Sequence, residues 1–203
     1  PHFLFMADLI TVQEYKNAEG ISNQKDDQRL DVIVPQVSDL AKKYCGTTFI
    51  DYYSSGRTET ISVHDKYTST IIVSESPLIA VSSVQERTGY AEDYETLTTT
   101  DYEYYVDTAA DAIIRTTKSG GKAYWASGVG SVRVTYTAGY SATPSDLKLA
   151  LFDLVTYYLK DEHKERRTIA GATLQNQGTS GVRDNTDFPD HIKRVLDLYR
   201  VII

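Results

Sequence analysis

Hydrophobic residues recur at helical spacing near both ends of the chain and at strand spacing through its middle. The first predicted element is a short helix over residues 12–19. Thr11 and Glu14 have the spacing of a capping box, and Gly20 follows as a stop. The chain is therefore expected to open on a helix whose two ends are both defined locally.

A second and longer helix is predicted between the capping residues Asn23 and Asp26 and the stop at Gly46. Pro35 lies inside this helix and is expected to kink it. The apolar positions that fall at helical spacing are Leu30, Ile33, Val37, Leu40, Ala41 and Tyr44.

The pattern then changes to alternation typical of strands with one buried face. Turn residues separate these segments, and residues 118–122 have the composition of a hairpin connection. The acidic stretch 92–95 and the threonines that follow predict a solvated loop or a sheet edge. The predicted strands cover residues 58–63, 68–74, 79–87, 102–106, 112–116, 122–126 and 131–137.

Helical spacing returns at residue 143. Thr143 is predicted to cap this helix, with Pro144 in its first position and Asp146 three residues after the cap. Its apolar stripe comprises Leu147, Leu151, Leu154, Val155, Tyr158 and Leu159. A charged run over 160–167 ends the helix.

A polar, glycine-containing segment over residues 168–186 lacks usable periodicity and predicts a long flexible loop. Phe188 and Pro189 then open a terminal helix. Its apolar face is formed by Ile192, Val195, Leu196, Tyr199 and Ile202.

These elements predict an α+β protein. A frame of four helices carries a large β-rich insertion, sandwich-like or barrel-like, between the second and third helices. The predicted segments are 6–46 for the first two helices, 47–140 for the insertion, and 141–203 for the last two helices with the loop 168–186. With 203 residues and 41% hydrophobic content, the chain is long enough to bury a core.

Charge and cysteine content narrow the function classes. The net charge is −7, and residues 47–143 carry 7 basic and 12 acidic side chains. This balance disfavours tight binding to nucleic-acid phosphates, which depends on Lys and Arg. Cys45 is the only cysteine, so an intrachain disulfide is impossible. Apolar runs far shorter than the roughly 20 residues of a membrane span predict a soluble protein with no membrane partner.

The residues give little support for catalysis. Residues 120–123 have the order of part of a phosphate-binding loop, but Thr116 stands where that loop requires glycine and the setting is a hairpin. The four histidines fall in separate predicted elements: His2, His64, His163 and His191. We therefore expect no enzymatic activity, no metal and no cofactor.

The order of several motifs resembles the head-tail connector proteins of tailed bacteriophages, also called adaptor or head-completion proteins. Each motif is a cap, a stop or a stripe, and their order along the chain is the specific feature. The matching segments are 9–16, 41–49 (AKKYCGTTF), 136–151, 164–167 and 198–200. The insertion of about 90 residues between Thr47 and Gly139 is longer than in the smaller members.

The resemblance implies a structural virion protein that assembles in the host cytoplasm and resides in the head-tail neck. It would form a homo-oligomeric ring of about twelve copies beneath the portal protein and extend the DNA channel toward a downstream neck or tail protein. DNA would pass through as cargo only.

Two parts of the chain are candidates for contact with partners. The loop over 168–186 is expected to order or rearrange on docking to the portal, a neighbouring copy or the next neck protein. The alternative is a surface loop that contacts no partner. The C-terminal helix is a candidate portal contact. The candidate residues of these two regions are Lys193, Arg194, Tyr199, Arg200, Arg166, Arg167, Gly171, Gly178 and Gly181.

A competing hypothesis is a binding module. In this alternative the β-rich insertion recognises a host-surface glycan or decorates a virion, and the helices only tether it. Sugar contact would involve Trp125 and nearby tyrosines, whereas the position of Trp125 beside Tyr124 in a predicted strand favours core packing.

Overall fold

The computed structural model describes residues 7–160 and 189–201. The described part of the chain is α+β, with four helices and antiparallel sheets. The helices are α1 (Val12–Glu19), α2 (Asp27–Cys45), α3 (Ser145–Leu159) and α4 (Asp190–Leu198). The strands are β1 (Arg57–Val63), β2 (Thr70–Ile72), β3 (Leu78–Glu86), β4 (Glu95–Leu97), β5 (Tyr104–Asp107), β6 (Ala112–Arg115) and β7 (Gly128–Ala138).

The chain divides into two compact units. Residues 47–141 form one, here called the β unit, and the described residues on either side of them (7–46, 142–160 and 189–201) form the other, the helical unit. All seven strands therefore lie between α2 and α3 in chain order, which agrees with the predicted place of the β-rich insertion. None of the helices in the described ranges is both long enough and apolar enough to cross a bilayer.

The predicted capping box of α1 is confirmed. The Glu14 amide donates to Thr11 Oγ1 at 3.1 Å, and the Thr11 amide donates to Glu14 Oε2 at 2.8 Å. Gly20 ends the helix with φ of 67°, a left-handed conformation that glycine adopts without strain. Lys148 of α3 donates to Glu14 Oε1 at 2.6 Å, and this bond lowers the pKa of the Glu14 carboxyl.

One predicted helix cap is in position without its hydrogen bond, and another is wrong. Asp26 holds the N-cap position of α2, but its side chain makes no capping hydrogen bond. Pro144, not Thr143, is the N-cap of α3, and the helix begins at Ser145. The hydroxyl of Thr143 instead donates to the carbonyl of Leu9, so a long-range contact takes the group that would have capped the helix.

The helical unit is held by apolar side chains from all four helices. Helix α2 is continuous from Asp27 to Cys45 and includes Pro35, and the kink expected at Pro35 stays a prediction. The buried apolar residues are Leu9, Ile10, Tyr15, Leu30, Val34, Val37, Ala41, Cys45, Leu147, Ala150, Leu151, Leu154, Val155, Ile192 and Leu196.

The β unit contains two antiparallel sheets. Strand order is β1-β7-β3-β4 in the larger sheet and β2-β6-β5 in the smaller one. The end strands of each sheet do not pair with each other within the described residues, so neither sheet closes into a barrel on its own. Six predicted strands match β1, β2, β3, β5, β6 and β7 in order.

The predicted strand over 122–126 is wrong. Lys122 makes one isolated bridge to Thr116, and the Trp125 amide donates to the Thr68 carbonyl at 2.9 Å. This segment therefore makes isolated backbone hydrogen bonds and is not a strand of either sheet. Residues 95–97 form the edge strand β4, which agrees with the sheet-edge alternative for the acidic stretch.

Both sheets contribute to one hydrophobic core. Trp125, 2% exposed, is the largest side chain within it. The other members are Val63, Ile71, Val73, Leu78, Val84, Leu97, Tyr104, Ile113, Val132, Val134, Tyr136 and Ala138. Alternating residues of β7 supply four of these, as the predicted strand period requires.

A buried carboxylate fixes the start of the β unit. Glu75 accepts hydrogen bonds from the Thr47 hydroxyl at 3.0 Å and from the Thr48 amide at 2.9 Å. Arg57 donates to its other oxygen at 2.8 Å, so the buried charge is paired and hydrogen-bonded. The two threonines of the AKKYCGTTF motif therefore have a structural role in this chain.

Cys45 gives a test of packing in the helical unit. Its thiol is buried and donates to the Leu196 carbonyl at 3.5 Å. Burial, followed by the nearby Asp197 carboxylate, raises the pKa of the thiol from 9.0 to about 12. At pH 8 the folded protein should react with a disulfide reagent at least about a thousandfold more slowly than the denatured protein, because thiolate is the reactive form. Equal rates would show that α2 and α4 do not pack as described.

Candidate functional site

The C-terminal helix places two of the predicted partner-binding cations on its outer side. Ile192 and Leu196 of α4 are buried against the helical unit. Arg194 is exposed and Lys193 is partly exposed. Both cations therefore remain candidates for contact with a partner.

Tyr199 and Arg200 lie at the end of α4 and make contacts within the helical unit. Tyr199 Oη donates to Asp146 Oδ1 at 2.6 Å, and this bond lowers the pKa of the Asp146 carboxyl. The Arg200 guanidinium lies 5.7 Å from the centroid of the Tyr44 ring. The Val201 amide donates to the Cys45 carbonyl of α2 at 2.9 Å. The described C-terminal residues are therefore held against α2 within the same chain.

The other predicted partner-binding residues lie outside the described residues. They are Arg166, Arg167, Gly171, Gly178 and Gly181. The predicted ordering of the loop over 168–186 on docking stays a prediction.

An apolar groove with a volume of about 770 Å³ runs along the outer face of α2. Val32, 55% exposed, and the partly exposed Ile33, Leu40 and Tyr158 supply its apolar lining. The remaining lining residues are Gln28, Arg29, Gln36, Val37, Asp39 and Lys43. We call this feature the α2 groove.

A single apolar side chain projects from α3. Leu149 is 64% exposed and lies between the exposed carboxylates of Asp146 and Asp153 on the same stripe of the helix. His191 of α4 approaches the Asp153 carboxylate at 3.7 Å. We call residues 146, 149 and 153 the α3 ridge.

Sequence reasoning missed both surfaces. It grouped Ile33 and Leu40 with the apolar stripe at helical spacing on the second helix, and the structure leaves both partly exposed in the α2 groove. One signal was available: Val32 places an apolar residue outside that stripe, so the apolar surface of the helix is wider than one packing partner needs. Leu149 lies off the predicted stripe of α3 in the same way.

The β unit does not present the sugar-binding residue of the competing hypothesis. Trp125 lies in the core, so it cannot stack on a glycan from the surface. Residues 118–122 form a tight turn, in which the Thr117 amide donates to the Gly121 carbonyl at 2.8 Å. Within the described ranges, no three His, Cys, Asp or Glu side chains come together as a metal site would require.

Comparison with known proteins identifies the family. The model of the head completion protein family matches residues 8–202. The head completion protein of Escherichia phage T5 is 37% identical over 73 residues, which span 35% of this chain and 39% of that relative. The chain thus aligns with well under two thirds of the curated relative's length.

Solved structures show the same fold. A chain in the virion of a native gene transfer agent (GTA) particle has a TM-score of 0.57 at 15% identity, covering 96% of this chain and 91% of that chain. A chain in the neck of the native GTA particle, computed with C12 symmetry, has a TM-score of 0.51 at 16% identity, covering 97% and 95%. The resemblance carried by the order of the motifs is confirmed, and the chain belongs to the head completion protein family.

Proposed function

We propose that this chain is a structural virion protein, a head-tail adaptor that sits beneath the portal and joins head to tail. The observation that carries the proposal is the match of the head completion family model to residues 8–202, which includes both units. The fold shared with chains of GTA neck and virion structures supports a place in the neck. Assembly in the host cytoplasm and the absence of catalysis belong to the same proposal.

We infer a closed homo-oligomeric ring of twelve copies. The support comes from the similar GTA necks, which were computed with C6 and with C12 symmetry. Identical subunits close into a ring when each presents two different, complementary surfaces. Such a ring would extend the DNA channel from the portal toward a downstream neck or tail protein.

DNA is proposed to pass through the ring without being held. The β unit carries an excess of acidic side chains, and Glu92, Asp93, Glu95 and Asp101 are all exposed. Like charge opposes adhesion of phosphates to a channel wall. An image of the ring with every one of these carboxylates on its outer surface would remove this argument, although the ring itself would stand.

We also infer that the two sheets of the β unit are the layers of a sandwich. The core that they share is of the kind that two facing sheets enclose. A sandwich with one shared core offers a rigid body for contact with the next neck protein.

The proposed function has a direct biochemical test. DNA-filled heads that lack this protein should lose DNA and fail to accept tails, because nothing completes the portal vertex. Addition of the purified protein should stop the loss and restore tail attachment, measured by nuclease sensitivity and by counting tailed particles. Heads that retain DNA and join tails equally well without the protein would contradict the proposal.

Portal contact is proposed to involve the cations of α4. The Lys193→Glu/Arg194→Glu variant should lower portal affinity by about tenfold or more, because charge reversal at an interface opposes association. Truncation after Leu198 is a poor test, since it also removes the Tyr199 bond to Asp146. Affinity is measured by binding of the variant to immobilised portal.

The matched control is Lys66→Glu/Lys122→Glu, which makes the same charge change at two exposed positions of the β unit. We expect the control to bind the portal like the wild type. Equal affinities for both double variants would exclude α4 from the portal contact.

A further inference from the structure

Two apolar surfaces of opposite shape are exposed on the described part of the helical unit. The α2 groove is concave and lined by Val32, Ile33, Leu40 and Tyr158, while the α3 ridge projects Leu149 into solvent. An exposed apolar groove is typical of protein contacts, whereas a single exposed apolar side chain is common on any surface. What marks the α3 ridge as a contact surface is therefore its position and its charges. The question is which molecule covers each.

The two surfaces face opposite ways around α3. Leu149 marks the ridge, and Tyr158, nine residues later, lines the groove. At 3.6 residues per turn, nine residues correspond to about two and a half turns, so the two side chains leave the helix on opposite sides. Two different surfaces on opposite sides of one subunit suit a head-to-tail contact, whereas a two-fold dimer uses one self-complementary surface.

The charges at the two surfaces are complementary. Arg29 and Lys43 line the α2 groove near its two ends, and Asp39 is the one acidic residue among the described residues of the lining. The α3 ridge carries the carboxylates of Asp146 and Asp153, and both side chains remain exposed although Asp146 accepts from Tyr199 and Asp153 lies near His191. A cationic rim around an apolar floor therefore fits an apolar side chain flanked by carboxylates.

We propose that the α2 groove of each subunit receives the α3 ridge of a neighbouring copy of this chain, with Leu149 seated among Val32, Ile33, Leu40 and Tyr158. This contact rests on the ring proposed above and names the surfaces that close it. In this contact Arg29 and Lys43 face the carboxylates of Asp146 and Asp153, and these charges fix the orientation of each subunit relative to its neighbour.

Two single variants test the contact. Val32→Asp damages the groove and keeps the ridge, and Leu149→Asp damages the ridge and keeps the groove. Each should raise the concentration needed for assembly by about tenfold or more, because burial of one large aliphatic side chain is lost and a charge is placed in the contact. Assembly is measured by sedimentation velocity and native mass spectrometry.

Mixing the two variants gives the sharper result. The groove of the Leu149→Asp chain can still receive the ridge of the Val32→Asp chain, and neither complex can grow further. Chains carrying different tags should therefore form one-to-one heterodimers in the mixture, while each variant alone stays monomeric. Absence of the heterodimer would overturn the proposed contact.

Ile72→Asp is the matched control, because Ile72 is 68% exposed but lies on β2 of the β unit. It should assemble like the wild type, and circular dichroism melts should show all three variants folded. If Val32→Asp and Leu149→Asp also assemble normally, the contact is elsewhere and the ring stands. If the wild-type chain never assembles, with or without portal, the ring itself is contradicted and this contact with it.

Discussion

The Gly139→Ala variant is expected to lose about 3 kcal/mol or more of the unfolding free energy of the β unit. Gly139 follows β7 and has φ of 96°, a backbone conformation that residues other than glycine rarely adopt. A Cβ at this position would lie 2.0 Å from the carbonyl oxygen of Phe49. The backbone must move, because the clash is with main-chain atoms and not with the end of a flexible side chain.

The movement would break hydrogen bonds that close the β unit on itself. The Phe49 carbonyl accepts from the Tyr140 amide at 2.7 Å, and the Gly139 amide donates to the Pro77 carbonyl at 2.9 Å. Backbone strain and the loss of these bonds therefore add. The measurement is denaturant unfolding followed by the fluorescence of Trp125, the single tryptophan, which lies in the core of this unit.

Gly120→Ala is the control for strain alone. Gly120 has φ of 76°, but a Cβ there would meet no atom within 4 Å. Its expected loss is about 1 kcal/mol, the cost of a left-handed conformation for alanine. Equal losses for the two variants would mean that the approach of Phe49 to Gly139 is not as close as described.

The second large effect is expected at the ion pair that joins the two sheets. Arg115 of β6 donates through Nε and Nη2 to Glu86 Oε2 of β3, at 3.2 and 3.1 Å. The other Glu86 oxygen accepts from the Ala126 amide at 2.6 Å. Both side chains are largely buried, with 17% and 14% of their surface exposed. Removal of either partner leaves a desolvated charge without its counterpart.

Arg115→Met should therefore cost about 3 kcal/mol, and Glu86→Gln about 2 kcal/mol. The double variant should cost much less than the sum of the two, because the second substitution removes the charge that the first left unpaired. Denaturant unfolding monitored by Trp125 fluorescence measures all three. Additive losses would show that the two side chains do not interact.

Lys118 and Asp101 provide the exposed comparison. Their side chains are 74% and 53% exposed, with 3.6 Å between the charged atoms. Lys118→Met should cost less than about 0.5 kcal/mol, because exposed ion pairs contribute little. If Lys118→Met lost as much stability as Arg115→Met, burial would not explain the large effect expected for Arg115→Met.

Elements that depend on neighbouring residues in the sequence were predictable. The capping box of α1 needs only Thr11 and Glu14 three residues apart, and the alternation in β7 follows from the strand period. The stop at Gly46 is equally local. These features specify element type and position without knowledge of the rest of the fold.

Features that depend on distant residues were not predictable. Thr143 has the sequence setting of a helix cap, but its hydroxyl bonds to Leu9, which lies 134 residues earlier. Residues 122–126 alternate like a strand, yet Trp125 packs into the shared core and the segment pairs only at single points. In both cases tertiary contacts outcompete a local pattern.

The candidate surfaces show the same limit. Periodicity identifies apolar positions on α2 and α3, but it does not tell which of them another helix covers. Val32 and Leu149 remain exposed because the four helices bury only one side of α2 and of α3. An uncovered apolar side chain is visible only once the fold is known, and it then indicates where a second molecule can bind.

The most direct measurement is electron cryomicroscopy of the purified portal mixed with this protein. The proposed head-tail adaptor function predicts one closed ring of twelve copies, coaxial with the portal, with an open channel along the common axis. The helical units should contact their neighbours around the ring. A chain that stays monomeric and adds no density to the portal would contradict this function.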